Sequence, residues 1–204
     1  VGQEIKDFRK NNKNTLILHA GDAVTGTLYY TFFKGIADAE LMNVINFDAF
    51  TLGNHEFDDG NEVLAKFLSA LKIPVISSNV VPDKGSILEG KWKPYIIKNV
   101  GGEKIGIIGM EVVKKTVESS SPGKDIKFID EIEAAKKYVK ELQDQGINKI
   151  ILLSHAGYEK NVEIAQKVSG IDLIVSGDTH YLLGKEFEKY GLKIGGDQYP
   201  KKIT

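Results

Sequence analysis

The chain has 204 residues, 42% of them hydrophobic and 27% charged, which suits one globular domain with a core large enough to need no staples. Its 27 basic and 28 acidic residues leave a net charge of −1, arguing against a nucleic-acid surface or a polybasic membrane anchor. There is no cysteine, so disulfides and thiolate metal sites are excluded, and no apolar run approaches the roughly 20 residues of a membrane span.

In chain order, residues 1–12 place Val1, Ile5 and Phe8 on one face of an amphipathic helix. Val1 already reads as the inside of that helix, so the domain is expected to be cut short at its N-terminal edge. Thr15-Leu16-Ile17-Leu18 is a strand running into Ala20-Gly21-Asp22. Residues 32–46 have a helical pattern, with Gly35 weakening its start. Residues 48–52 form the next strand and end at Gly53. A helix with Val63, Leu64, Phe67, Leu68 and Leu71 on one face runs until Pro74, which opens another strand. Residues 81–92 read as a surface excursion. Residues 95–100 and 104–109, joined by Gly101-Gly102, form a hairpin. A helix over 130–145 stops at Gly146, a buried strand over 150–153 ends at Ser154-His155, and a helix over 159–168 leads to a last strand over 172–175. Strands alternating with helices predict a layered α/β fold.

Four of these apolar runs end in a turn that carries glycine and a side chain able to hold metal or protons: Gly21-Asp22, Gly53-Asn54-His55, Ser154-His155 with Gly157, and Gly177-Asp178 with His180. Three of the four histidines sit there. Ligand sites of open α/β sheets form beyond the carboxyl ends of strands, so neighbouring parallel strands would bring Asp22, Asn54, His155, Asp178 and His180 to one cleft. Oxygen and imidazole donors without sulfur suit zinc, manganese, iron or cobalt. Phosphate-ester hydrolysis by two such ions asks for a bridging carboxylate, a metal-bound hydroxide and a cationic donor for the leaving oxygen. Asp22 is assigned the bridge and His55 the proton donor, with Asp58 orienting its imidazole from three residues on. Taken alone, the Asn54-to-Asp58 run also fits a helix N-terminus with acidic first-turn residues.

Gly21-Asp22 with Gly26, Gly53-Asn54-His55-Glu56-Phe57-Asp58, Ser77-Ser78-Asn79-Val80, Ser154-His155-Ala156-Gly157 and Ser176-Gly177-Asp178-Thr179-His180 together resemble the successive motifs of the 5′-nucleotidase branch of the calcineurin-like metallophosphoesterases. The resemblance covers nearly the whole chain. It implies a four-layer α-β-β-α sandwich of two mixed sheets with a two-metal centre at the strand ends, the ions being zinc, manganese, cobalt or iron. Asp22 would bridge them; Asn54, His155 and Asp178 would complete one, His180 would join the other, and His55 with Asp58 would be the catalytic pair. Such enzymes act on nucleotides or other small phosphoesters, use a second, C-terminal domain of the same polypeptide for contact with the base, and are largely periplasmic, secreted or surface-bound.

Two departures stand out. The Asp-x-His strand that usually supplies two further ligands does not precede Asp22, which would leave one ion with Asp22 and His180 alone. Asp178 occupies a position that is usually histidine; it either ligates as a harder donor or turns away to cap its own loop. Asn79 is read first as an Asx turn and second as a substrate-binding amide facing the cleft. His19 is read as pointing away from Asp22 or lying behind it, Trp92 and Tyr29-Tyr30 as packing residues, and the lysines at 114–115 as a solvated face. The leading expectation is a dinuclear-metal nucleotide phosphomonoesterase. Cyclic-nucleotide phosphodiesterase, nucleotide-sugar diphosphatase and sulfur-ester hydrolase chemistries share the motifs, and a metal-poor binding domain without turnover is the reading from another class.

Overall fold

A computed structural model describes residues 1–181. Helix α1 (Gly2–Asn11) precedes a short strand β1 (Leu18–His19), helices α2 (Leu28–Phe33) and α3 (Ile36–Ile45), and strand β2 (Ala49–Thr51). A 3₁₀ turn (Asn54–Phe57), helix α4 (Gly60–Ala70) and strand β3 (Val75–Ile76) follow. The expected single helix over 32–46 is two helices. Lys34 and Gly35 both adopt left-handed backbone angles (φ 48° and 86°), and a Cβ at Gly35 would lie 3.1 Å from the Phe67 ring of α4. Gly35 therefore supplies a bend and a close approach together.

The second half contains β4 (Val80–Pro82), the hairpin β5 (Tyr95–Val100) and β6 (Glu103–Met110), α5 (Val113–Ser119), β7 (Ile126–Phe128), α6 (Glu131–Asp144), β8 (Ile150–Ser154), α7 (Tyr158–Lys167) and β9 (Leu173–Ser176). The hairpin turns at Gly101-Gly102, both at positive φ, as a tight two-residue loop requires. Helix α6 starts where the Asp130 carboxylate accepts the backbone N–H groups of Ile132 and Glu133. The stretch after Asn79, expected to be an excursion, begins with β4 paired antiparallel to β7. Of the aromatic pair, Tyr30 is buried while Tyr29 faces solvent; Trp92 packs against the core and donates to the Val80 carbonyl.

Three apolar clusters define the layers. Phe50, Leu52, Leu64, Phe67, Ala39 and Met42 join α3 and α4 to the outer face of the parallel sheet β1-β2-β3. Ile108, Met110, Leu152, Val139, Leu142 and Ile164 join α6 and α7 to the outer face of the mixed sheet β5-β6-β8-β9. Ala49, Ile76, Ile107 and Leu153 fill the space between the sheets. The order is helix, sheet, sheet, helix, the four-layer α/β sandwich. The two sheets come close at Gly109, where a Cβ would stand 2.5 Å from the Ile76 carbonyl oxygen. The four strands that end in polar turns therefore do not share one sheet. They form two parallel pairs, β1 with β2 and β8 with β9, in separate layers whose carboxyl ends share one edge of the sandwich.

Candidate active site

Asp22 follows β1 through Ala20 and Gly21, in a loop where Gly21, Asp22, Thr25 and Gly26 all have positive φ. Asp22 itself is at φ 55°, an uncommon backbone state for a non-glycine residue and one that marks functional turns. The loop lies against the turn after β2. A Cβ at Gly53 would collide with the Asp22 side chain, and one at Gly21 would stand 2.5 Å from His155 Nδ1. The glycines are there because two turns and an imidazole occupy the space that side chains would need.

That contact is fastened by Glu56. Its carboxylate is buried and accepts three backbone N–H groups, from Gly53 (2.5 Å), Asp22 (2.9 Å) and Ala23 (2.7 Å). One side chain thus ties the turn after β2 to the loop after β1. Burial and the nearby Asp22 charge outweigh the three N–H groups and push the Glu56 carboxyl up to about 7.

Asp22 is the hub. The His55 backbone N–H donates to Asp22 Oδ1 at 3.0 Å, and Asp22 Oδ2 lies 2.9 Å from His155 Nε2 and 4.0 Å from His55 Nε2. Burial alone would raise the Asp22 carboxyl, but the His155 and His55 contacts bring it below the usual range. His155, 2% exposed, has Nδ1 2.5 Å from the Ala20 carbonyl oxygen. A carbonyl only accepts, so Nδ1 carries the proton, and in the neutral ring the lone pair on Nε2 faces Asp22 Oδ2. Two acceptors at that separation need a proton or a cation between them. Nε2 has no aligned hydrogen-bond partner, and neither has the buried Oδ1 of Asn54. Both orphans are good ligands for a divalent ion, so the donor set fits one. Burial lowers the His155 pKa, but the Asp22 carboxylate and the Ala20 carbonyl outweigh it and raise it above its usual value.

Asp178, after β9, faces the same region. Its Oδ1 lies 3.9 Å from His155 Nε2 and pairs with the Lys115 ammonium of α5, so its carboxylate reaches across to α5 instead of serving its own loop. His180 is exposed, at φ 55°, and makes no hydrogen bond or ion pair with another described residue. Among the described residues no three His, Asp or Glu side chains form a ready-made metal cage; His155 links to Asp22 and, separately, to Asp178.

His55 stands over the edge with its side chain 45% exposed. Its Nδ1–H donates to Asp58 Oδ2 at 2.6 Å, and Asp58 Oδ1 accepts from Ser120 Oγ at 3.0 Å. Asp58 first, and Asp22 after it, raise the His55 pKa above its usual value. His19 lies edge-on to Phe47 and Phe50, and burial lowers its pKa, with the charges of His155 and Asp22 also within reach of its ring.

Asn79 does not face the cleft. It is fully buried, its amide donates to the Glu111 carbonyl (2.8 Å) and its oxygen accepts the Glu111 N–H (2.9 Å), so both ends of the amide are engaged with the backbone that follows β6. Asn79→Ala should lower unfolding free energy by about 2 kcal/mol, as two buried backbone groups lose their partner, and leave KM unchanged; denaturant titration beside steady-state kinetics checks both.

Several contributors carried no assignment from sequence. Glu111 follows β6 as the other polar residues follow their strands, a fifth strand end that its apolar run could have signalled. Its Oε1 accepts from Thr116 Oγ1, its Oε2 has no partner, and burial, with Glu56, Asp22 and Asp178 nearby, pushes it well above the carboxylate range. Lys115, expected on a solvated face, reaches the site instead, and Ser120 supports Asp58. No local pattern announces these two, because their helix has neither a ligand motif nor a long apolar stripe.

The calcineurin-like phosphoesterase model matches residues 1–182. A Treponema pallidum protein named "Probable 5′-nucleotidase" is 64% identical over 201 residues, 98% of this chain and 34% of that protein. The NAD 5′-nucleotidase of Haemophilus influenzae is 64% identical over 194 residues, 95% of this chain and 32% of its own length. The solved structure of Haemophilus influenzae NAD nucleotidase superposes with a TM-score of 0.94 at 61% identity, over 98% of this chain and 40% of that one. The chain thus spans about a third of the length of these curated relatives. No helix among the described residues is long and apolar enough to cross a membrane. With its sandwich, its strand-end turns and these relatives all in agreement, the chain belongs to the calcineurin-like phosphoesterase family, as the N-terminal domain found in 5′-nucleotidases.

Proposed function

We propose that the chain is the hydrolytic unit of a divalent-metal-dependent nucleotide phosphohydrolase that releases phosphate from nucleoside 5′-monophosphates or related nucleotides. The observation that carries this reading is the buried, unpartnered Nε2 of His155 facing Asp22 Oδ2, with the His55–Asp58 pair alongside. Asp22 would be shared by two ions, Asn54 Oδ1, His155 Nε2 and Asp178 would hold one of them, and His180 would belong to the other. When bound, divalent cations supply Lewis-acid polarisation of the phosphoryl group. His55 keeps a proton on Nε2 and passes it to the leaving oxygen, while Asp58 accepts from Nδ1–H and fixes the ring's direction. Glu56 holds the Asp22 loop against the Asn54 turn. We further propose that a second domain of the full-length polypeptide supplies contacts to the base, and that the protein works in a periplasmic, secreted or surface setting.

The test is phosphate release by the full-length polypeptide from AMP and, because a relative is named an NAD 5′-nucleotidase, cleavage of the NAD diphosphate to AMP and nicotinamide mononucleotide, with manganese or zinc and then with chelator. Activity on at least one substrate should fall to background on chelation and return with metal. Turnover indifferent to chelation would overturn the metal-dependent mechanism; no turnover under any condition would favour a binding domain.

A further inference from the structure

We propose that Lys115 is a positioning residue that competes with the divalent cation for Asp178, and so sets how tightly the site takes up metal. The inference rests on Asp178 serving as a metal ligand, as read above. Lys115 lies on α5, and this helix together with the two serines that follow it is fixed to the site at three points. Thr116 Oγ1 bonds the buried Glu111, the Ser121 N–H donates to the Phe57 carbonyl (3.1 Å) at the end of the 3₁₀ turn, and Ser120 Oγ bonds Asp58. A helix held so closely carries Lys115 in a set direction. The lysine side chain is 47% exposed along its length, yet its ammonium ends on an Asp178 carboxylate that is only 11% exposed.

The choice of oxygen carries the argument. Lys115 holds Asp178 Oδ1, the same oxygen that faces His155 Nε2 at 3.9 Å. Oδ2 is turned toward Gly157, where a Cβ would stand 2.9 Å from it. A cation held by His155 and Asp178 together would use the oxygen that the ammonium occupies. A dication and an ammonium on one carboxylate oxygen repel strongly at that range, so one must leave. The half-exposed stem lets the lysine withdraw to solvent. Asp178 adds a carboxylate charge near His155 Nε2, where the Asp22 carboxylate already lies, and Lys115 offsets it when no metal is there.

Calorimetric titration of the metal-stripped full-length polypeptide with Mn²⁺ tests this without reference to turnover. Lys115→Met should bind Mn²⁺ about fivefold more tightly than the parent, and Lys115→Arg should stay close to the parent. In an Asp178→His background, where no carboxylate remains to contest, Lys115→Met should change the affinity by less than about twofold. Weaker binding by Lys115→Met would overturn the proposal, since the lysine would then be helping to hold Asp178 for the metal. A gain that persists beside His at 178 would also overturn it, because it would reflect only removal of a nearby positive charge. If neither the parent nor Lys115→Met takes up Mn²⁺, the metal reading falls and this one with it; if the parent binds and only the lysine comparison fails, the metal reading stands.

Discussion

His55→Ala will lower kcat for phosphate release by about 10²–10⁴-fold, the usual contribution of a positioned general acid, while KM and the unfolding midpoint stay near those of the parent. The separation of effects follows from the geometry. The imidazole is nearly half exposed and packs into no core cluster, so its loss removes little buried surface, whereas its Nδ1–H bond to Asp58 has no catalytic substitute. Asp58→Asn should be milder in rate but visible in the pH profile. Asp58 is the chief reason that the His55 pKa lies above its ordinary value. In the proposed mechanism the acid form of His55 is the active one, so kcat should fall as pH rises through that pKa. With the charge at 58 removed, the alkaline limb moves to lower pH. Full chelator-sensitive turnover in His55→Ala would sink the assignment.

The second large effect is on stability. Glu56→Ala will destabilise the fold by about 3–5 kcal/mol, because the N–H groups of Gly53, Asp22 and Ala23 lose their acceptor in a region with little water to replace it. Glu56→Gln should fall between, since its amide nitrogen would face N–H donors at one end. The pH dependence of the metal-stripped protein gives a separate check. The Glu56 carboxyl sits at about 7 in the fold against an ordinary 4.5, so between those values the folded state holds the extra proton. Its contribution is complete below about 4.5 and is lost as pH rises through about 7. Denaturant midpoints measured across that window should decline for the parent and be flatter for Glu56→Gln. An unchanged midpoint in Glu56→Ala would show that the two turns are held by something else.

Much of the architecture was legible because periodicity reports burial. The hairpin and α6 with its Asp130 start were placed within a residue or two, and α4 was found from its apolar stripe although it ends at Ala70, short of the expected Pro74 stop. Helix α5 and the β4-β7 ribbon were not, being short and stabilised by partners far along the chain. The site divides in the same way. That Asp22, His55, His155 and Asp178 lie together could be read because each combines a polar side chain with a strand end and a nearby glycine. Glu56 lies in the same motif, yet its task could not be seen, because two of its three partners are backbone atoms of a loop more than thirty residues away. Asn79 misled for a related reason: a polar residue at a strand end looks like a ligand until a distant backbone is found to consume it.

The packing of the two sheets at Gly109 has a bearing on the centre's tuning. Asp22 and Asn54 are carried by one sheet, His155 and Asp178 by the other, so the interval between the two half-sets is set by the thickness of the apolar filling at Ala49, Ile76, Ile107 and Leu153. That filling acts as a spacer in a gauge. A methyl group gained or lost there would widen or narrow the jaws without touching a single donor atom, and so would shift which ionic radius the proposed centre prefers.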